Sequence, residues 1–104
     1  MQLLTKAQRD TMIQNHRKQE QDHGSHDFKP VVKLFNPTGR GTWHLSELDP
    51  ETNIAFGLCE IFEKELGSVS LDEIASYRGP LGLGIERDRH ITPTQTLREM
   101  AGLR

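Results

Sequence analysis

The sequence predicts an α+β domain: an antiparallel meander sheet of four to five strands, with an N-terminal helix and two short C-terminal helices. Three observations carry this. Most β-branched, aromatic and long aliphatic residues fall within residues 31–71. Turn-forming groups interrupt that stretch at short intervals, which suits antiparallel strands, because a parallel crossover needs a dozen or more residues. Helix-capping patterns flank it on both sides.

Taken in order, Thr5 is the expected N-cap of a first helix, with Leu4, Ala7, Met12, Ile13 and His16 loosely along one side. The apolar stripe then stops, and residues 14–27 hold no large apolar side chain. The expectation is a docked helix fraying into a polar linker over residues 1–27, then a single compact α+β domain over 28–104. Asp22, His23, His26 and Asp27 imitate a metal site, but a solvated linker would not hold ligands in fixed geometry.

Val31 to Phe35 is a run of strand formers entered from Pro30, which has no amide hydrogen for a ladder. Pro37, Gly39 and Gly41 reverse the chain. Thr42 to Leu48 returns as a strand whose two-residue period puts Trp43, Leu45 and Glu47 on one face. Asp49 and Pro50 open the next turn. Ile54 to Ile61 follows as a strand with Ile54, Phe56 and Leu58 inward, and Gly57 within it signals a bulge or a close neighbour. Residues 62–67 read as a connection and 68–71 as a short fourth strand. Ser70, with Glu73 three positions on, caps a helix stopped by Gly79. Residues 85–91 are a polar final strand, and Thr94 or Thr96 opens a last short helix. The expected core is Val32, Leu34, Trp43, Leu45, Ile54, Phe56, Leu58, Val69, Leu71, Ile74 and Leu83.

At 104 residues, one small domain can bury ~65% of its unfolded surface. One cysteine excludes an internal disulfide and a multi-cysteine zinc site. No run approaches the ~18 apolar residues of a membrane helix and no signal-peptide pattern opens the chain, so a cytoplasmic protein with no membrane partner is expected. The net charge of −2 gives no general pull on nucleic acid or anionic lipid. The charge is segregated, however. Glu47, Asp49, Glu51, Glu60, Glu63, Glu65, Asp72 and Glu73 crowd the middle, and arginines outnumber acids from Arg78 onward.

No motif calls for a cofactor or a metal. Gly39 with Gly41, and Gly82 with Gly84, complete neither a dinucleotide fingerprint nor a P-loop and read as plain turns. Cys59, mid-strand beside Leu58 and Ile61, reads as a packed thiol rather than a nucleophile served by His44 or His90. Glu86, Asp88 and His90 would share one strand face and Arg87 and Arg89 the other. Carboxylates beside an imidazole suit acid–base chemistry, whereas the bland reading is an edge strand whose charges deter pairing with other chains.

The segments LLTKAQR, DFKPVVKLFNPTGRGTW, SELDP, IAFGLC, ELGSVSL and RGPLGLGIERDRH together resemble a small uncharacterised bacterial family, a domain of unknown function often encoded on plasmids and integrative elements. The resemblance covers nearly the whole chain and implies a compact α+β domain carried beside conjugation and anti-restriction genes. It supplies no catalytic residue. It marks Trp43, Glu47, Asp49, Glu86, Arg87, Asp88 and His90 as family-typical. The leading functional expectation is therefore a non-enzymatic accessory module that binds another protein, one that itself binds nucleic acid, through Trp43, Glu47, Asp49, Arg87 and Arg89. The alternatives are a small hydrolytic or metal-assisted enzyme using Glu86, Asp88 and His90 beside Trp43 and Glu47, and, ranked below it, direct DNA binding through Arg78, Arg87, Arg89, Arg98 and Arg104.

Overall fold

The capping pattern at Thr5 is realised in full. Its hydroxyl accepts from the Gln8 amide at 3.1 Å and the Gln8 side chain accepts from the Thr5 amide at 2.9 Å, satisfying two amides that the first helical turn leaves without partners. The structure, a computed structural model, describes residues 2–103. Its elements are α1 (Lys6–Gln21), β1 (Val32–Phe35), β2 (Thr42–Asp49), β3 (Ile54–Glu60), β4 (Lys64–Ser70), α2 (Leu71–Ser76), a 3₁₀ turn at Pro80–Gly82, β5 (Glu86–Arg87) and α3 (Leu97–Met100). All strand pairs are antiparallel and the sheet order is β4-β3-β2-β1-β5.

Helix α1 runs well past Gln14, where its apolar stripe ends, and corrects the expected fraying. Hydrogen bonds hold its polar half. Asn15, buried, donates to the Ser46 carbonyl at 2.9 Å. Gln19 donates to the His26 carbonyl at 2.7 Å and to Glu47 Oε2 at 3.0 Å, and accepts from the His26 amide at 3.0 Å. A hydrophobic pattern cannot reveal an anchorage made this way. The chain leaves the helix through Gly24 at φ +75°, a left-handed turn that a glycine takes without penalty.

The second correction is a bulge in β2. Leu45 lies opposite Gly57, but Glu47 lies opposite Phe56, so Ser46 is an extra residue. The two-residue period therefore breaks, and Leu48, not Glu47, joins Trp43 and Leu45 in the helix-side core. Gly57 has the close neighbour its position suggested: a Cβ there would sit 2.0 Å from the His44 carbonyl oxygen.

The core on the helix side combines Leu4, Met12, Val32, Leu34, Trp43, Leu45, Leu48, Ala55, Leu71 and Ile74. Each large side chain fully buried there contributes about 1.5–3 kcal/mol. In β3 the small residues Ala55 and Gly57 face the helices, which places Ile54, Phe56 and Leu58 on the opposite side. Only Leu58 is fully covered there, by the segment carrying α3 with its buried Leu97. Ile54 is exposed and Phe56 partly so, against expectation, and Leu83 is exposed in the loop after α2.

Two boundaries also move. Residues 64–67, read as loop, belong to β4, which pairs with β3 from Glu60–Lys64 through to Ile54–Ser70 without a register shift. Residues 85–91, read as a strand, yield only β5. The Asp88 carboxylate accepts from the His90 amide at 2.9 Å, a local turn that takes the amide a longer ladder would need. The cap at Ser70 forms as expected, though its helix ends at Ser76, before Gly79, and of Thr94 and Thr96 it is Thr96 that caps α3. No helix among the described residues is long and apolar enough to cross a membrane.

Candidate functional site

The charged stretch after Gly84 is divided between two places. Arg87 lies opposite Leu34, and its guanidinium donates to the Gln2 carbonyl at 2.8 Å, tying down the start of the chain. Asp88 donates its amide to the Lys33 carbonyl at 2.9 Å and holds its carboxylate 3.8 Å from the Lys33 ammonium. Asp88 and His90 border an open cavity of about 300 Å³ that also takes in Lys33, His44 and Met100. Glu86 borders a different groove, between α2 and the N-terminal residues. Among the described residues no hydrogen bond or ion pair joins the His90 ring to a carboxylate, and no three histidine, cysteine or acidic side chains gather as metal ligands.

His44 is the other imidazole in that cavity. Burial lowers its pKa, with Lys33 and Lys64 pushing the same way and Glu60, at 3.8 Å, pulling back. A neutral imidazole beside Lys33 and Asp88 can exchange a hydrogen bond with a polar ligand. Cys59 is half-buried opposite Trp43, and burial, then Glu65, pushes its thiol up, which suits a packed group.

Trp43 and Glu47 do not meet this cavity. Trp43 packs in the helix-side core, with its ring 2.7 Å from where a Cβ on Gly41 would be. β5 pairs with β1, so β1 separates it from the Trp43 strand. Glu47 is turned toward α1, and burial raises its pKa against the pull of its Gln19 hydrogen bond. Asp49 accepts from the Glu51 amide at 2.9 Å, and that bond lowers its pKa. The metal-like pair His26 and Asp22 bond each other at the end of α1, and the His26 ring stacks on Phe28. Of the arginines, Arg87 and Arg89 border one shallow cavity, Arg78 is turned back onto the carbonyls of Ala75 and Tyr77, and Arg104 lies outside the described residues.

The acidic residues form two groups instead of one face. Glu51, Asp72 and Glu73 are exposed where β2 turns into β3 and α2 begins, and Glu63 and Glu65 are exposed at the opposite, β3–β4 end. β3 separates the ends by ~20 Å at the usual rise per residue. Between them runs the outer side of β4. The sequence predicts only the second half of this edge as strand, over residues 68–71, and the structure extends it back to Lys64. The signal in the sequence was KELGSVS itself, a strand-length piece following the three-residue turn Ile61, Phe62 and Glu63. Phe62 at that turn is 83% exposed, with the Arg40 guanidinium 5.5 Å from its ring centroid.

No curated protein and no solved structure matches the chain. Residues 3–103 match the family model described as Protein of unknown function (DUF2958), and the chain belongs to that family.

Proposed function

We propose that this protein is a non-enzymatic module that binds a basic protein, in plasmid or mobile-element biology. The setting rests on the family resemblance alone. The binding reading rests on one observation: exposed carboxylates stand at both ends of the β4 edge, in a chain whose arginines are in part bonded back onto it. Such an arrangement steers a cationic partner and competes with nucleic acid for it. The test is affinity capture from the native host at low and high ionic strength, with the wild-type chain and a Glu63→Lys/Glu65→Lys variant side by side. Basic proteins held at low salt, released at high salt and lost by the variant are the expected result. Capture without a basic bias, or unchanged by charge reversal, overturns the reading.

The shared cavity of His44, Asp88 and His90 favours a second reading, hydrolytic chemistry at that place. Ester or phosphoester turnover abolished by His90→Ala would establish it, and absence of turnover across both classes would remove it.

A further inference from the structure

We infer that the open side of β4 receives an extended basic segment of the partner protein as a sixth strand. The inference rests on the protein-binding reading above and assigns it a place. Backbone arithmetic shows which groups are free. The Leu71 amide donates to the Asn53 carbonyl at 3.1 Å, and Ser70 pairs with Ile54. Antiparallel ladders alternate, so residues 65, 67 and 69 bond β3, while Lys64, Leu66 and Ser68 turn their N–H and C=O groups outward. Among the described residues no hydrogen bond engages the outward main-chain groups of Leu66 or Ser68.

The usual protections of an edge are missing from its middle. Leu66 to Ser70 carry no charge and no proline, and the pairing with β3 has no bulge. A Cβ on Gly67 would meet nothing within 4 Å, so a neighbouring strand can approach closely there.

Charge selects the occupant. The carboxylates of Glu63 and Glu65 flank one end of the edge, where Lys64 between them donates its ammonium to the Met100 carbonyl at 3.3 Å, and those of Asp72 and Glu73 flank the other. A second copy of β4, paired antiparallel about Gly67, would turn Glu63 and Glu65 of each chain toward Asp72 and Glu73 of the other. Like charges at such distances oppose that pairing. A strand that is basic at both ends and uncharged between meets the opposite charge at each. Main-chain hydrogen bonds then supply affinity and the flanking charges supply selection.

The experiment uses the full chain and a synthetic peptide, lysine-lysine-threonine-valine-threonine-valine-lysine-lysine, with a control whose two valines are prolines. Amide exchange and titration by NMR are the readouts. Expected is slowed exchange at the Leu66 and Ser68 amides with the first peptide only. Ser68→Pro, which removes an outward amide and no bond to β3, weakens binding roughly tenfold or more. Should Ser68→Pro fail to fold by circular dichroism, Ser68→Lys serves instead, since its charge repels a basic strand. Binding unaffected by either substitution, with no protection at Leu66 and Ser68, sinks the edge assignment and leaves the basic-partner reading standing. No peptide binding sinks the edge assignment as well, and the host capture separately decides the broader reading. Dimerisation that rises with concentration and is lost in Ser68→Pro would give the edge to a second copy and overturn the occupant proposed.

Discussion

The two edges of the sheet are built on opposite terms. β5 is two residues long, Glu86 and Arg87, and is followed by Asp88, Arg89 and His90, with the Asp88 carboxylate closing a turn on the His90 amide. β4 is seven residues long in unbroken register, and its charges stop at Glu65. A third potential edge, where β2 continues beyond the end of β1, is covered by α1, and Asn15 satisfies the Ser46 carbonyl there. Two of three exposures are thus closed, one by shortness and charge, the other by a helix. An open, neutral edge invites pairing, and the contrast singles out β4 as the edge that the fold itself leaves open.

The comparison can be broken most forcefully at Gly57, which joins the β4 side of the sheet to the rest. Gly57→Ala pushes a methyl group to 2.0 Å from the His44 carbonyl oxygen, where backbone, not a flexible side chain, must move. We expect a loss of about 3 kcal/mol, at the upper end for overpacking, measured by denaturant unfolding. A loss under about 0.5 kcal/mol would mean that β2 and β3 can part locally and that the unbroken register of β4 is not imposed by β3.

Asn15→Ala reopens the third edge. Removing the donor leaves the Ser46 carbonyl buried without its partner, and the cost should be about 1–3 kcal/mol. Amide exchange should accelerate in the second half of α1 while β4 is unchanged. Equal acceleration in both would show that the covered and open edges are not independent.

The smallest effect concerns Glu47, beside the same bulge. Burial raises its folded pKa above the unfolded value, so the folded state binds the proton more tightly. That contribution to stability is fully present below the unfolded pKa and is lost as pH rises through the folded one. Glu47→Gln should therefore be slightly more stable than wild type at neutral pH, with the gap closing as pH falls into the ordinary carboxylate range. A gap that widens on acidification would contradict the sign. Paired unfolding curves across that range decide it.

Local chemistry made much of this protein readable in advance. The caps at Thr5, Ser70 and Thr96, the turn around Pro37 and Gly39, and the antiparallel order of the first three strands depend on residues a few positions apart. The resemblance to an uncharacterised family was equally legible, because it lay in contiguous segments, and the family match over residues 3–103 agrees with it. Within the candidate sites, the sequence placed Asp88 and His90 in one polar stretch, and they do share a cavity.

Only the tertiary structure could decide the rest. Whether residues 14–21 remain helical depends on Asn15 and Gln19 finding a carbonyl and a carboxylate about thirty positions away, on β2, and no periodicity in a polar segment reports that. The bulge at Ser46 shifts the side-chain alternation by one and sends Glu47 away from the face its spacing implies. Trp43 stands both in the expected core and among the expected binding residues, and the packed helices cover it on the core side. Above all, an edge is a property of the assembled sheet. The same seven residues of β4 would be an interior strand if another element lay beside them, and strand order is set by long-range packing rather than by any local residue preference.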